Sequence, residues 1–74
     1  MTRSFYHFIM TKRGPNEEVP ETLLANLIEQ DTLFPKQSQD YHEISHHLEM
    51  EGYLPSMSLF DEVWEEYRSG ETSV

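Results

Sequence analysis

The 74-residue sequence has no cysteine, three glycines and only five lysine and arginine residues, against 14 aspartate and glutamate residues. The absence of cysteine excludes disulfide bonds and thiolate metal sites, so no covalent link supports the small core. The sequence has no run of about 18 apolar residues, which excludes a transmembrane helix, and it shows no signal-peptide pattern. We therefore expect a cytoplasmic protein.

The aromatic content favours a folded domain over a disordered chain. Low hydrophobicity with a net charge of −9 is typical of disorder. However, phenylalanine, tyrosine and tryptophan make up 12% of the residues, and they recur at helical spacing. A chain of 74 residues allows one domain with a single core cluster. We predict a helical domain over residues 1–69 and a flexible C-terminal tail over residues 70–74.

Apolar residues at helical spacing predict the first two helices. The first follows Ser4, a good N-cap residue, and covers about residues 5–13. The second begins at Pro20, which suits the first position of a helix, and covers about residues 20–31. Its apolar face consists of Leu23, Leu24, Leu27 and Ile28.

The third helix is predicted between Asp40 and Gly52. Asp40 and Glu43 form a D-x-x-E capping box, and Gly52 suits a left-handed C-terminal position. Apolar residues in the connectors on either side of this helix, Leu33 and Phe34 before it and Leu54 after it, are expected to pack into the core from there. No segment alternates as a half-buried strand would. The sequence thus predicts an all-α fold, a compact bundle of four helices with short connectors.

The fourth helix, predicted over about residues 58–69 with Ser56 or Ser58 as its cap, separates apolar from acidic residues most cleanly. Trp64 is expected to pack in the core, as is Tyr41 of the third helix. The acidic face consists of Asp61, Glu62, Glu65 and Glu66. This face is either a solvated surface or a docking surface for a basic partner.

Five segments of the sequence are familiar as a set. They are SFY at 4–6, FPKQS at 34–38, DYHEIS at 40–45, YLPSMS at 53–58 and FDEVW at 60–64. Together they resemble the YozE-like family of small bacterial proteins, over about residues 4–67. The resemblance implies a four-helix domain with a short 3₁₀ turn, similar to the sterile alpha motif, a fold used in interactions. It brings no functional residues to this sequence.

The segment from His42 to His46 satisfies H-E-x-x-H, the pattern in which two histidines bind zinc and the glutamate is a general base. On a helical wheel both histidines project away from the apolar stripe, and Glu43 already belongs to the capping box. We therefore expect a solvated helix face, with no catalytic residues and no cofactor. Surface binding of a divalent ion by His42, His46 and Glu49 is a remote alternative.

Charge is unevenly distributed along the chain. Residues 1–39 hold four basic and five acidic residues, and residues 40–74 hold one and nine, giving −1 and −8. The basic counterpart of the acidic face consists of Arg3, Lys12, Arg13 and Lys36. We expect a non-enzymatic module that binds another protein through these charged residues, with self-association as a further option. Nucleic-acid binding through the basic residues is the alternative, which the net charge disfavours.

Overall fold

The computed structural model describes residues 3–72, and within them the chain forms four helices and no strand. The helices are α1 (Phe5–Met10), α2 (Pro20–Glu29), α3 (Tyr41–Glu51) and α4 (Met57–Thr72). Helix α1 packs against α2 and α4, and α4 also contacts α2 and α3. The predicted all-α bundle is confirmed. No helix within the described residues is long and apolar enough to cross a membrane.

The first two helices end earlier than their apolar patterns predict. After Met10 the chain tightens, because Thr11 and Lys12 donate their backbone N–H groups to the carbonyl oxygens three residues earlier. Gln30 and Asp31 form the same kind of turn after α2. Such i to i+3 bonds tighten a last helical turn and end the α-helix.

The caps of α1 and α3 follow the sequence in most respects. The Ser4 hydroxyl accepts the His7 N–H at 3.1 Å, and the Asp40 carboxylate accepts the His42 N–H at 3.2 Å. The second half of the predicted capping box differs, because the Asp40 N–H donates to the Ser38 hydroxyl at 3.1 Å instead of to Glu43. Helix α3 ends at Gly52, whose φ of 68° is left-handed as expected.

Helix α4 begins at Met57, after Ser56, whose hydroxyl accepts the Ser58 N–H at 3.1 Å. Of the two candidate caps, Ser56 is therefore the N-cap residue of α4. The helix continues to Thr72, so residues 70–72 form its last turn where the sequence predicts the start of a tail. Residues 73 and 74 lie outside the described part of the chain.

The core is a single cluster to which all four helices and one connector contribute. Its buried members are Phe5, Phe8, Ile9, Leu24, Ala25, Ile28, Phe34, Ile44, Leu48, Phe60, Val63 and Tyr67. The Phe5 ring lies at the centre of the aromatic part, 5.5 Å from the Phe60 centroid and 5.3 Å from that of Tyr67. Burial of this apolar surface is the main force that holds such short helices together.

Phe34 and Leu54 pack on the core from the two connectors as expected. Phe34 is 4% exposed, and Leu54 packs against the cluster while remaining partly buried. The Phe34 N–H donates to the Asp31 carbonyl, and the Ser38 N–H donates to the Pro35 carbonyl. These single i to i+3 turns are the form that the implied 3₁₀ turn takes here.

Candidate functional site

The four acidic residues predicted on the last helix are all exposed on α4, but they differ in their surroundings. Asp61 accepts a hydrogen bond from the Tyr41 hydroxyl at 2.6 Å, and Glu65 lies 3.8 Å from the Arg68 guanidinium. Glu66 lies beside Glu21 of α2, close enough for a carboxyl–carboxylate hydrogen bond, and that bond raises the pKa of Glu66. The predicted acidic face is therefore attached to α2 and α3 at its edges.

Between α3 and α4 lies a shallow groove of about 350 Å³ that combines aromatic and charged side chains. We call it the aromatic–acidic groove, and it is lined by Tyr41, Asp61, Trp64, Glu65 and Arg68. The Tyr41 and Trp64 rings meet edge to face, with centroids 5.5 Å apart. Both side chains were predicted to be core residues, and both do pack on the core, yet each remains partly exposed in this groove.

The Tyr41–Asp61 hydrogen bond fixes the mouth of this groove. It is the main reason that the pKa of Tyr41 is raised, with burial and the negative charges of Asp61 and Glu49 adding to it. The tyrosine therefore stays a proton donor at neutral pH and holds the Asp61 carboxylate in place. Tyr41 also stacks on the buried Phe60 ring, with centroids 5.5 Å apart, so the core holds the Tyr41 side chain in position.

The predicted basic residues do not form one surface. Arg3 and Lys12 both lie over the Phe8 ring, at 5.1 and 5.4 Å from its centroid. Lys36 lies over Tyr6 instead, at 5.7 Å. Since Tyr6 and Phe8 are two residues apart, they project about 160° from each other around α1. The cations therefore belong to opposite flanks of this helix.

Arg13, the last of the four predicted basic residues, forms an ion pair with Glu29 at 2.5 Å and donates to the Met10 carbonyl. Lys12 is close enough to Glu21 and Glu66 for its charge to favour the ionised form of each carboxyl, although the bond to Glu21 keeps the pKa of Glu66 raised overall. The acidic and basic sets therefore meet within the same chain, at the junction of α1, α2 and α4.

The histidines of the H-E-x-x-H segment are exposed on α3, as the helical wheel predicts. Within the described residues, no group of three or more histidine, aspartate or glutamate side chains could hold a metal ion. His42, His46 and Glu49 therefore do not come together as the three-ligand set considered from the sequence. Glu43 lies beside the connector residues 35–38.

A hydrogen-bonded cluster that the sequence did not suggest lies at the end of α2. The Asp31 carboxylate, only 6% exposed, accepts from the Tyr53 hydroxyl at 2.7 Å and lies 2.6 Å from the His47 ring nitrogen. Its other oxygen accepts the Leu33 N–H at 3.0 Å. Burial opposes ionisation of Asp31, but these donors outweigh it, and the pKa of the carboxyl is lowered.

Sequence reasoning missed this cluster because its members come from three different elements. Asp31 was assigned to the end of the second helix, and His47 belongs to none of the motifs identified in the third. Tyr53, which lies in the following connector, has its hydroxyl pKa raised by burial and by its bond to Asp31. The only local signal was that His47 borders the apolar stripe of its helix.

Beside this cluster lies a second groove of about 310 Å³, which we call the Leu33 groove. It is lined by Leu27, Gln30, Asp31, Thr32, Leu33, Glu51 and Tyr53. Leu27, which the sequence places on the apolar face of the second helix, is only partly buried there. The expectation that Leu33 packs into the core with Phe34 is wrong: Leu33 is 75% exposed and Phe34 is buried, so the two connector residues point in opposite directions.

Comparison with known proteins places the chain among small bacterial proteins. Residues 4–69 match the family described as the YozE SAM-like fold. A UPF0346 protein of Enterococcus faecalis is 53% identical over 68 residues, covering 90% of this chain and 93% of the relative. A UPF0346 protein of Lactiplantibacillus plantarum is 44% identical over 72 residues, covering 96% and 99%. No solved structure matches. On these grounds the chain belongs to the YozE SAM-like family.

Proposed function

We propose that the protein is a non-enzymatic binding module that captures a basic segment of another protein in the aromatic–acidic groove. The observation that carries this proposal is the pairing of two partly exposed aromatic rings with carboxylates at one site. Trp64 and Tyr41 form the floor, and Asp61 and Glu65 form the rim. Tryptophan and tyrosine are the residues most often found at the energetic centre of protein interfaces.

Charge complementarity defines the partner. The half of the chain that contains the groove, residues 40–74, has a charge of −8, and such a field attracts a cationic segment from a distance. At contact, a lysine or arginine over the face of Trp64 gains a cation–π interaction while its charge meets the rim carboxylates. Arg68 lines the same groove, 3.8 Å from Glu65, so a partner cation would share that carboxylate with it.

A binding role fits the polar chemistry of the described residues better than catalysis does. The closest resemblance to a catalytic pair is Asp31 with His47. There, however, the Asp31 oxygens already accept from Leu33 and Tyr53, and that arrangement ties elements of the fold together. An active site would instead direct polar groups of perturbed pKa toward a substrate pocket.

Nucleic-acid binding is less well supported as an alternative. The candidate cations lie on opposite flanks of α1, and Arg13 is paired with Glu29. Such an arrangement neutralises few phosphates along one track, whereas phosphate neutralisation is what supplies most of the affinity. We retain it as an outcome that the experiment below detects.

The proposal is tested with short peptides and the fluorescence of Trp64, which is the single tryptophan of the chain. We expect tetra-arginine and tetra-lysine peptides to change its emission in a saturable way that weakens as salt rises. Tetra-glutamate should have no effect. A single-stranded oligonucleotide that shifts the emission at micromolar protein would instead favour the alternative.

Matched charge variants of α4 locate the binding site. Glu65→Gln removes a rim carboxylate, and Glu62→Gln removes the same charge from the same helix outside the groove. We expect Glu65→Gln to weaken peptide binding at least fivefold, and Glu62→Gln to change it less than twofold. Equal effects of the two variants would mean that only the overall charge attracts the peptide, and the proposed site would be rejected.

A further inference from the structure

A second feature of the surface, the Leu33 groove, is separate from the aromatic–acidic groove. Tyr41 begins α3 and Glu51 ends it, so the two grooves lie about 15 Å apart along this helix. A single exposed leucine is ordinary on a protein surface. Leu33 differs because it borders a cavity of about 310 Å³ and is held in a fixed position.

The turn that carries Leu33 is anchored at both ends. On one side, the Leu33 N–H donates to the Asp31 carboxylate, which is itself held by Tyr53 and His47. On the other side, Phe34 is buried, with its ring 5.6 Å from that of His47. Leu33 therefore cannot turn into the core without breaking these contacts, and its side chain is presented outward in an ordered position.

The walls of the groove define the chemistry of its occupant. Leu27, Leu33 and the Tyr53 ring provide apolar surface, while Glu51 is the exposed charge at the rim. Glu51 lies near enough to Tyr53 for its charge to help raise the pKa of that hydroxyl. Asp31 already accepts three hydrogen bonds, so Glu51 is the carboxylate with capacity to meet an incoming cation.

From this geometry we propose that the Leu33 groove is a second docking site, which binds a partner segment carrying one apolar side chain followed by a lysine or arginine. The volume lies at the lower end of the range for ligand pockets, about 300–1,000 Å³, which suits one side chain better than a cofactor. The apolar side chain packs between Leu27 and Leu33, and the cation lies at Glu51.

The site is tested by selecting a randomised heptapeptide library on the immobilised full chain, with counter-selection on Leu33→Ser. We expect the surviving peptides to carry leucine, isoleucine, methionine or phenylalanine within two residues of a lysine or arginine. In NMR spectra, a synthetic peptide of that sequence should shift the resonances of Leu27, Thr32 and Tyr53. Failure to enrich any sequence, or enrichment of acidic peptides, would overturn the proposal.

Two pairs of variants distinguish binding in this groove from nonspecific hydrophobic or electrostatic binding. Leu33 and Met50 are similarly exposed, at 75% and 71%, but only Leu33 lines the groove. Leu33→Ser and Glu51→Gln should weaken binding of the selected peptide at least fivefold, whereas Met50→Ser and Glu49→Gln should change it less than twofold. Equal losses within either pair, or shifts confined to Trp64, would reject the second site without affecting the proposal for the aromatic–acidic groove.

Discussion

Leu33 and Phe34 are adjacent apolar residues in one connector, yet one is exposed and the other lies in the core. Hydrophobicity cannot distinguish them, because both gain from burial. What separates them is the Asp31 carboxylate, which holds the Leu33 N–H and thereby sets the direction of the turn. The largely buried side chain of Asp31, two residues before Leu33, thus decides which connector residue faces solvent.

The Asp31 cluster should make a measurable contribution to stability. Asp31→Asn leaves the donors of Tyr53 and His47 facing an amide, and we expect it to lower the free energy of unfolding by about 1–3 kcal/mol at pH 7. Glu29→Gln, which breaks an exposed ion pair with Arg13, should cost less than about 1 kcal/mol. Urea denaturation of both variants measures the difference, and equal costs would contradict a structural role for the cluster.

The pH dependence of this contribution follows from the lowered pKa of Asp31. A carboxyl whose pKa is lower in the folded state stabilises the protein above its unfolded value, about 3.9 for aspartate, and loses that contribution as the pH falls through the folded value. The gap between the wild type and Asp31→Asn should therefore narrow as the pH falls below about 4. A gap that widens in acid would refute this account.

At the scale of the elements, most helix boundaries are set by capping residues close to them in sequence. Ser4, Pro20, Asp40 and Gly52 mark boundaries that the structure confirms. The early ends of α1 and α2 were missed, because the i to i+3 turns that close them leave no distinct residue pattern. The extent of α4 was underestimated, because residues 70–72 continue the helix where a flexible tail was predicted.

Two glycines in different conformations provide a matched test of this view. Gly52 has a φ of 68°, so Gly52→Ala should cost about 1–2 kcal/mol from backbone strain alone, since no atom would crowd the added Cβ. Gly70 lies within α4 and also has open space around it. Gly70→Ala should stabilise the protein by up to about 1 kcal/mol, because alanine favours the helix. Thermal denaturation followed by circular dichroism measures both, and a destabilising Gly70→Ala would place residue 70 outside the helix.

For the molecule as a whole, one aromatic residue, Phe5, connects α1 to the aromatic side chains of α4 in the core. Phe5 contacts the rings of Phe8, Phe60, Trp64 and Tyr67, with centroids 5.3 to 6.0 Å apart. A domain of this size has a total stability of roughly 4–11 kcal/mol. Phe5→Leu should cost about 1–3 kcal/mol, whereas Leu33→Ser should change stability by less than about 0.5 kcal/mol. Guanidinium denaturation of the two variants measures this contrast, and comparable losses would mean that Leu33 is not a surface residue.

The contact between α2 and α4 also involves the shared carboxyl pair of Glu21 and Glu66. Their mutual hydrogen bond raises the pKa of Glu66 and lowers that of Glu21. A group with a raised folded pKa stabilises the protein below its unfolded value and loses that contribution as the pH rises through the folded value. In Glu66→Gln the side-chain amide can donate a hydrogen bond to Glu21 at any pH, so the variant should be more stable than the wild type at pH 7. The gain should be less than about 1 kcal/mol, because the pair is near the surface.

The measurement for this pair is the melting temperature of the wild type and Glu66→Gln between pH 4.5 and 7.5. The difference in melting temperature between the variant and the wild type should shrink as the pH falls toward 4.5, because Glu66 of the wild type is then protonated and can donate to Glu21. Glu65→Gln is the control, because Glu65 carries the same charge on the same helix away from α2. A pH dependence shared by both variants would attribute the effect to net charge alone.

The sequence by itself determined the all-α class, the four helices and most of the core. These follow from apolar spacing and capping residues, which act over one or two turns of chain. It also located the acidic face of α4, because all four carboxylates belong to one helix. Those features are local, so their physical causes can be read along the chain.

Only the tertiary structure decided which of these residues share a site. Tyr41 meets Asp61, and Asp31 meets His47 and Tyr53, across separations of 16 to 22 residues. Arg3 and Lys12 share the Phe8 side of α1, whereas Lys36, distant in sequence, lies over Tyr6 on the other flank. Such groupings depend on how helices pack against a common core, and the periodicity of a single helix contains no information about its neighbours.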